Sequence, residues 1–382
     1  MQFSEIIGQE HIKNHLIRCV ETGRIPHAQL FVGPEGSGTL ATAIAFSQYL
    51  LCQNIQGENE GGNASCNLKF AQFAHPDLHF IYPTATNDDV KSKPKSSDFI
   101  KEWRQFLSES VYGGLQDWFK MLGAEKKQAE IRVDDAQEIL KTLALKSYEG
   151  GYKVMIVWMA EKMNISASNK ILKILEEPTD KTVFILIAEQ AEDILQTIRS
   201  RCQVLDFNGI PEELIAKSLV NQYQAESKWA AKIAHQAQGN YNKALKLLHN
   251  ETDEYPFEEW FVLWVRASFK ARGNASAILE LIEWSEEIAK IGREPQKNFL
   301  NYCIEMFRQA LLINYQANSL VFIEPKVAQF KLENFAPFVN GNNILAIYKE
   351  LNDAIYHIER NGNAKIILTD LSIKLTRLIH KK

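Results

Sequence analysis

Short apolar runs separated by stretches of helical spacing are the feature of this sequence that most restricts its fold. Three runs rich in β-branched and aromatic residues cover residues 29–32, 153–158 and 183–187. Strands that are apolar on both faces are typical of a parallel sheet with helices on both sides. The pattern therefore predicts an α/β domain over residues 1–208.

Residues 84–130 interrupt this alternation. The stretch opens with a polar run that contains Lys91, Lys93 and Lys95. Its second half is amphipathic and carries four large aromatic residues, Trp103, Phe106, Trp118 and Phe119. A lysine run can contact DNA phosphates, but a solvated loop is the more frequent meaning of such a run. We interpret the stretch as an insertion, and the sequence assigns it no role.

The remaining sequence has helical periodicity. Small residues such as Ala234, Ala237 and Ala244 predict short, closely packed helices over residues 209–250, in the manner of a small helical lid. Residues 251–382 predict an all-α domain, because apolar residues there recur at i, i+3, i+4 and i+7. Examples of such stripes are Phe257, Trp260, Phe261, Trp264, Phe299, Cys303, Met306, Phe307, Ala310, Ile367, Leu371, Leu375 and Leu378. We interpret these stripes as core and give them no chemical role.

Composition narrows the class of protein. The chain has 382 residues, 46% hydrophobic and 24% charged residues and a net charge of −4, which indicates two or three globular domains and excludes a dedicated polycation. The longest apolar run, residues 154–160, is far too short to span a bilayer, and no basic leader follows Met1, so we predict a cytoplasmic protein. The five cysteines form no C-x-x-C pair, which predicts reduced thiols.

A glycine-rich loop follows the first predicted strand. Residues 33–40 read Gly-Pro-Glu-Gly-Ser-Gly-Thr-Leu and precede a predicted helix over residues 41–51. Such a loop can cradle phosphate, since its N–H groups and the helix dipole converge on an anion. A working loop, however, continues from Gly33 through Gly38 with a lysine for the outer phosphates and a hydroxyl for magnesium. Thr39 and Leu40 occupy those two positions.

The acidic partner of the glycine loop is also missing. The strand that should end in an Asp-Glu pair ends in Trp158 and Met159, and a tryptophan cannot bind magnesium. Glu161 lies a few residues further on, where a surface or capping role is the better interpretation than a catalytic one. The sequence therefore predicts a loop of the right topology with the wrong side chains.

Two longer motifs resemble a known family. Residues 163–178 read Met-Asn-Ile-Ser-Ala-Ser-Asn-Lys-Ile-Leu-Lys-Ile-Leu-Glu-Glu-Pro, and residues 197–203 read Thr-Ile-Arg-Ser-Arg-Cys-Gln. Shorter matches cover residues 7–10, 26–31, 75–77 and 360–365. Together they resemble the clamp-loader branch of the AAA+ superfamily, and within it the delta-prime subunits of bacterial DNA polymerase III. The resemblance covers nearly the whole chain except the insertion.

The resemblance implies a site residue. In this family the arginine of Ser-Arg-Cys reaches the γ-phosphate of ATP held by the neighbouring subunit, a role that carries over to Arg201. A guanidinium suits it because its rigid, permanently charged fork matches phosphate oxygens. Arg199 is the nearby alternative. Ser200 and Cys202 are expected to shape the turn that aims Arg201, and Cys202 lacks a basic partner that would make it a nucleophile.

Two further departures from the family pattern concern the nucleotide site. Glu189 stands where members with a functional site usually have a polar sensor, and Asn242 stands where they usually have an arginine in the lid. Joint loss with Thr39, Leu40 and the acidic pair implies a subunit that does not hydrolyse ATP itself, and we expect no cofactor in this chain. ATP and magnesium are then expected in neighbouring subunits.

Metal and DNA are not predicted as direct ligands. Many relatives bind zinc through four cysteines in the region where this chain has only Cys52 and Cys66, and structural zinc takes four ligands. His75 belongs to a motif that is not a ligand in the family, so we predict no metal site. The net charge of −4 argues against strong autonomous DNA binding.

Three hypotheses follow for function. The resemblance favours a non-hydrolysing clamp-loader subunit with an α/β domain over residues 1–208, a lid over 209–250 and a helical collar over 251–382. Its implied partners are the tau/gamma and delta subunits, and through them the sliding clamp and primed DNA. The alternatives are an active tau/gamma-type ATPase and an AAA+ adaptor outside clamp loading.

Overall fold

The computed structural model describes residues 1–52, 64–144, 146–148, 151–177, 179–249, 255–323, 325, 327 and 330–381. The described chain divides into two compact units. The first comprises residues 1–124 and 129–251, and the second comprises residues 125–128 and 252–382. Pro178 and Asn250, which belong to a predicted motif and to the predicted end of the lid, lie outside the described residues.

The first unit alternates strands and helices, as the sequence pattern predicts. Its strands are β1 Ala28–Val32, β2 Leu78–Ile81, β3 Lys153–Val157, β4 Thr182–Ala188 and β5 Gln203–Asp206. Its helices in this part are α1 Glu10–Glu21, α2 Thr39–Cys52, α3 Ala64–Ala71, α4 Ile100–Glu109, α5 Leu115–Met121, α6 Val133–Ala144, α7 Ile165–Glu176 and α8 Gln196–Arg199.

The strands described form one five-stranded sheet in the order β2-β3-β4-β1-β5, with every pair parallel. Every residue of β1, β3 and β4 is buried, which is the arrangement expected of central strands covered on both faces. Because the strands are parallel, all carboxyl ends meet at one edge of the sheet and all amino ends at the other. The predicted α/β fold class is confirmed.

The insertion leaves and rejoins the domain at paired residues. Thr84 and Glu130 form an isolated antiparallel bridge, with N–H to O distances of 3.0 and 3.3 Å in the two directions. Between them, α4 and α5 bury Trp103, Phe106 and Trp118 in the same core that contains Ile156 and Trp158. Residues 84–124 are therefore packed against the α/β core, and their aromatic residues are part of it.

Three helices complete the first unit: α9 Glu212–Tyr223, α10 Ser227–Ala237 and α11 Tyr241–Leu248. They share a small core that includes Ile215, Ala230 and Ala244. Asn240 caps α11, since its side chain accepts a hydrogen bond from the Lys243 N–H at 2.9 Å. We call α9–α11 the lid.

The second unit is helical throughout its described elements, as predicted. These are α12 Phe257–Lys270, α13 Ala275–Ile288, α14 Arg293–Asn314, α15 Leu332–Phe335, α16 Ile344–Glu359 and α17 Ala364–Leu378. The predicted stripes form its core, where Trp264 stacks on Trp284 with ring centroids 5.1 Å apart. Among the described residues, no helix combines the length and apolar composition that crossing a membrane requires.

The prediction that all cysteines are reduced is wrong for one pair. Cys52, at the end of α2, and Cys66, in α3, form a disulfide with their Cα atoms 5.6 Å apart. The two residues are 14 positions apart in the chain, and only the packing of α3 against α2 brings them together. Cys19, Cys202 and Cys303 are free.

Candidate functional site

The glycine loop lies at the carboxyl edge of the sheet, between β1 and the first turn of α2. Gly36 and Gly38 have φ of +73° and +90°, values that side chains with a Cβ rarely adopt. Gln9 supports the loop from outside, because its Nε2 donates to the carbonyls of Ser37 and Asn208 at 3.0 and 2.7 Å. The loop therefore has the backbone of a phosphate cradle and is held by the Ile-Gly-Gln-Glu segment.

Side chains from the insertion cover the strand end that faces this loop. The ring of Trp158 lies 5.2 Å from that of Trp103 and 5.5 Å from that of Phe106. Trp103 also stacks on Tyr82 at 4.0 Å and meets Trp118 edge-on at 5.1 Å. Trp158 is thus buried in an aromatic cluster at the position where a metal-binding carboxylate was expected.

Tyr112 of the insertion packs directly on the glycine loop. A Cβ built on Gly38 would lie 3.0 Å from Cε1 of Tyr112, and one built on Gly114 would lie 2.0 Å from Oε2 of Glu35. The Tyr112 hydroxyl accepts a hydrogen bond from the Ile7 N–H at 3.1 Å, and burial raises its pKa to about 12. The tyrosine is therefore a neutral wall of the site over the physiological pH range.

The space left at the loop is small. A cavity of about 30 Å³ remains among residues of the loop, the Tyr112 segment, Trp158, Met159 and Glu189. A volume of this size holds at most a few water molecules, whereas sites for small molecules measure about 300–1,000 Å³. Thr39 and Leu40 bring no cation to it. In this conformation the residues present do not fit a magnesium-bound triphosphate.

Glu161 is the acidic residue closest in sequence to the missing Asp-Glu pair. It lies in a 3₁₀ turn, Ala160–Lys162, and is half-buried. The expected surface or capping role of Glu161 stays a prediction. Its Oε2 is shielded from solvent and accepts no hydrogen bond from any described residue. Burial raises the pKa of Glu161 to about 7, and the negative charges of Glu189 and Asp193 add to this.

Arg201 lies at the opposite, amino edge of the sheet, in the turn between α8 and β5. Its Nη1 donates to the Thr197 carbonyl at 2.7 Å, and its Nη2 forms an ion pair with Glu176 at the end of α7. The side chain is 34% exposed. Arg199, the alternative, contacts Gln196 at 2.6 Å and Glu192 at 3.8 Å.

The neighbours of Arg201 contribute to the same turn. The N–H groups of Arg201 and Cys202 donate to the carbonyls of Ile198 and Arg199 at 3.0 and 3.2 Å. The Ser200 hydroxyl donates to the Thr197 carbonyl at 3.2 Å. Burial raises the pKa of Cys202 to about 12, so its thiol stays protonated and is a poor nucleophile at neutral pH.

The residues considered as zinc ligands, Cys52, Cys66 and His75, make other bonds and contacts. In the Cys52–Cys66 disulfide neither sulfur is a thiolate, which is the form that binds zinc. The ring of His75 packs 5.0 Å from that of Phe70, and its Nδ1 accepts from the Asp77 N–H at 3.2 Å. Among the described residues, no three His, Cys, Asp or Glu side chains are grouped as metal ligands would be.

Comparison with protein families is decisive for the first unit. A family model described as "DNA polymerase III, delta subunit" matches residues 8–211, which is more than half of the chain. The chain belongs to this family. The matched residues include the glycine loop, Trp158 and the Ser200–Cys202 motif.

Curated relatives agree with this assignment. The DNA polymerase III subunit delta' of Bacillus subtilis is 28% identical over 244 residues, which cover 64% of this chain and 60% of the relative. The subunit delta' of Yersinia pestis is 31% identical over 182 residues, 47% of this chain and 41% of the relative. A gamma/tau subunit from Mycobacterium tuberculosis is 28% identical over 55% of this chain and 29% of its own length. The matches span less than two thirds of each of these relatives.

Solved structures to which the chain aligns include a gamma subunit-related protein of DNA polymerase III from Thermotoga maritima. It aligns with a TM-score of 0.40 and 14% identity over 96% of this chain and 99% of its own. A RuvB variant from the same organism aligns with a TM-score of 0.39 and 16% identity, over 85% and 88% of the two chains.

The sequence did not indicate a role for three residues at the two edges of the sheet: Tyr112, Asp117 and Glu176. Tyr112 packs on Gly38, Asp117 binds residues of the lid, and Glu176 binds Arg201. The adjacent glycines Gly113 and Gly114 were one available signal, because a glycine pair allows the close backbone approach that is seen at Glu35. No local pattern indicates the partners of Asp117 or Glu176.

Proposed function

We propose that this chain is a non-hydrolysing subunit of the bacterial DNA polymerase III clamp loader. It presents Arg201 to ATP bound by a neighbouring subunit. The observation that carries the proposal is the separation of the two features on the sheet: the glycine loop without a lysine at the carboxyl edge and the partly exposed Arg201 at the amino edge.

The state of the chain's own glycine loop supports the non-hydrolysing half of the proposal. Thr39 and Leu40 replace the lysine and hydroxyl residues, and Trp158 replaces a carboxylate. The remaining cavity of about 30 Å³ leaves no room for a triphosphate. These features argue against the tau/gamma-type alternative, although relatives of that type are found.

The position of Arg201 supports the second half. Parallel strands of four to seven residues separate the two edges of the sheet, so Arg201 cannot reach its own glycine loop. Thr197 and Glu176 each bind one terminal nitrogen, and the remaining N–H groups of the fork are available to a phosphate. An arginine that serves a phosphate from this edge has to serve one held by another subunit.

The partners follow from the same proposal. Tau/gamma subunits supply the ATP sites, the delta subunit completes the assembly, and the complex acts on the sliding clamp and primed DNA. Exposed apolar residues on helices of the second unit, such as Leu345 and Ile366 at 77% and 66%, are suited to contacts with other subunits.

The decisive experiment is reconstitution of the loader with wild-type subunit or with Arg201→Ala. We expect DNA-stimulated ATP turnover to fall at least about tenfold at the affected site, while the complex still assembles. Arg199→Ala is the matched control, since Arg199 lies in the same turn and is bound by Gln196 and Glu192. We expect it to keep near wild-type turnover.

Two results would contradict the proposal, one for the role of Arg201 and one for the lack of ATP hydrolysis. Unchanged turnover with Arg201→Ala, or a loss confined to Arg199→Ala, would remove the finger assignment. ATP turnover by the isolated chain at the rate of a motor subunit would remove the non-hydrolysing assignment.

A further inference from the structure

The insertion separates two spaces at the carboxyl edge of the sheet. On one side of Tyr112 is the cavity of about 30 Å³ at the glycine loop. On the other side is a cleft of about 1,010 Å³, bounded by the N-terminal segment, the end of α4 and the lid. Val111, Tyr112 and Gly113 line both. Residues 110–117, which we call the plug, therefore include a segment that lies between the two spaces.

The plug also connects the glycine loop to the lid. Asn242 of α11 is 6% exposed, and its Nδ2 donates to Oε1 of Glu35 at 3.0 Å and to Oδ2 of Asp117 at 2.7 Å. Lys246, one turn further along α11, forms an ion pair with Oδ1 of Asp117 at 2.6 Å. One carboxylate of the plug thus binds two residues of the lid, and one of these also binds the loop.

Further contacts hold the same three parts together. The Tyr241 N–H donates to the Gly36 carbonyl at 3.2 Å, and a Cβ built on Gly36 would lie 2.0 Å from Oδ1 of Asn240. The rings of Tyr112 and Tyr241 meet edge-on at 4.9 Å. The lid therefore contacts the glycine loop directly, with the plug filling the remaining space.

We infer that the plug takes the place of a nucleotide in this chain: Tyr112 fills the site at the glycine loop, and Asp117 fastens the lid to it. A bound triphosphate would bring negative charge between the loop and the lid, and the Asp117 carboxylate supplies a negative charge there that Lys246 and Asn242 already bind. The position of the lid is then set by the chain itself, without nucleotide. This inference is independent of the role proposed for Arg201.

Restoring the lysine and the hydroxyl of a working loop tests whether Tyr112 fills the nucleotide site. The full-length chain with Thr39→Lys and Leu40→Thr is compared with the same variant that also carries Tyr112→Ala, using a fluorescent ATP analogue and Mg²⁺. We expect binding at least tenfold tighter when Tyr112 is absent. Equal affinity of the two variants, or no binding by either when both remain folded by circular dichroism, would overturn the plug.

Hydrogen exchange of the α11 amides tests whether Asp117 fastens the lid to the plug. Asp117→Ala should speed exchange in α11 at least tenfold, because it removes the partner of Asn242 and Lys246. Glu102→Ala is the matched control: Glu102 is a half-buried acid of the same insertion and makes no ion pair with the described residues. Unchanged protection of α11 in Asp117→Ala, or an equal loss in Glu102→Ala, would overturn the fastening role.

Discussion

The two edges of the central sheet differ in the side chains and charges that they carry. At the carboxyl edge, the ring of Tyr112 packs on the glycine loop, and Trp158 packs against Trp103 of the insertion. At the amino edge, Arg201 is partly exposed, and a carbonyl and one carboxylate bind part of its fork. The glycine loop at the carboxyl edge is thus lined by aromatic residues and carboxylates, whereas the amino edge carries a partly exposed cation.

The difference shows that a phosphate site and a parallel sheet make different demands on the sequence. Phosphate binding requires cations and open space, whereas the sheet requires only apolar strands with covering helices. Trp158 can be buried at this strand end because Trp103 and Phe106 of the insertion give it apolar neighbours. The insertion therefore contributes to the packing at the carboxyl edge.

The largest expected effect concerns the aromatic residues that anchor the insertion at this edge. Trp118 is fully buried, and its Nε1 donates to the Pro83 carbonyl at 2.8 Å. Trp118→Ala should lower the free energy of unfolding by about 3–5 kcal/mol, because it leaves a large cavity. Urea denaturation measures the change. Trp229→Ala, at a tryptophan 41% exposed in the lid, should change stability by no more than about 0.5 kcal/mol.

A cost below about 1 kcal/mol for Trp118→Ala would show that the insertion is not anchored through this cluster. The contrast between the two edges would then rest on the missing charges alone.

An intermediate effect concerns Glu161 near the same edge. Burial raises its folded-state pKa from 4.5 to about 7, so the folded protein retains a proton that the unfolded chain releases. The resulting stabilisation is present below pH 4.5 and is lost as pH rises through about 7. At pH 8, Glu161→Gln should therefore be more stable than wild type by about 1–3 kcal/mol.

This difference should shrink as pH falls and vanish below pH 4.5. Thermal denaturation across pH 4–8 follows it, with Glu213→Gln at an exposed position as the control. A constant difference at every pH would show that Glu161 is not titrating in this range.

The smallest effect concerns the other edge. Glu176 binds Nη2 of Arg201, whereas the adjacent Glu177 has no ion pair with the described residues. If Arg201 serves a neighbour's ATP, Glu176→Ala should lower DNA-stimulated turnover up to about fivefold, since a partly exposed ion pair contributes at most about 1 kcal/mol. Glu177→Ala should leave turnover unchanged.

Glu176→Gln sharpens this test, because the amide oxygen still accepts a hydrogen bond from the guanidinium and should retain most of the turnover. A rise in turnover with Glu176→Gln would instead mean that the carboxylate competes with phosphate for Arg201. Equal effects of Glu176→Ala and Glu177→Ala would remove the positioning role.

Much of the fold could be predicted because its signals are local. The predicted runs at residues 29–32, 153–158 and 183–187 correspond to β1, β3 and β4 within one residue at each end. Thr84 and Glu130, chosen as the limits of the insertion, form a bridge with each other. The roles of Arg201, Ser200 and Cys202, and the division of the chain into α/β, lid and collar domains, stay predictions.

At the glycine loop, the sequence predicted only which phosphate- and magnesium-binding groups are missing. That Thr39 brings no cation for phosphate, and that Leu40 and Trp158 bring no oxygen ligand for magnesium, follows from their side-chain chemistry. That Tyr112 fills the space does not, because the contact joins residues more than 70 positions apart through the packing of the insertion. The Cys52–Cys66 pair was missed for the same reason, since pairing depends on how α2 and α3 pack.

By itself, the sequence determined a parallel α/β domain, a helical C-terminal region and a glycine loop without its charges, since periodicity and residue type act locally along the chain. Only the tertiary structure decided what occupies the glycine loop, which lid residues bind Asp117 and which carboxylate binds Arg201. Those outcomes depend on the distances between side chains that are far apart in sequence, and such distances exist only once the elements have packed.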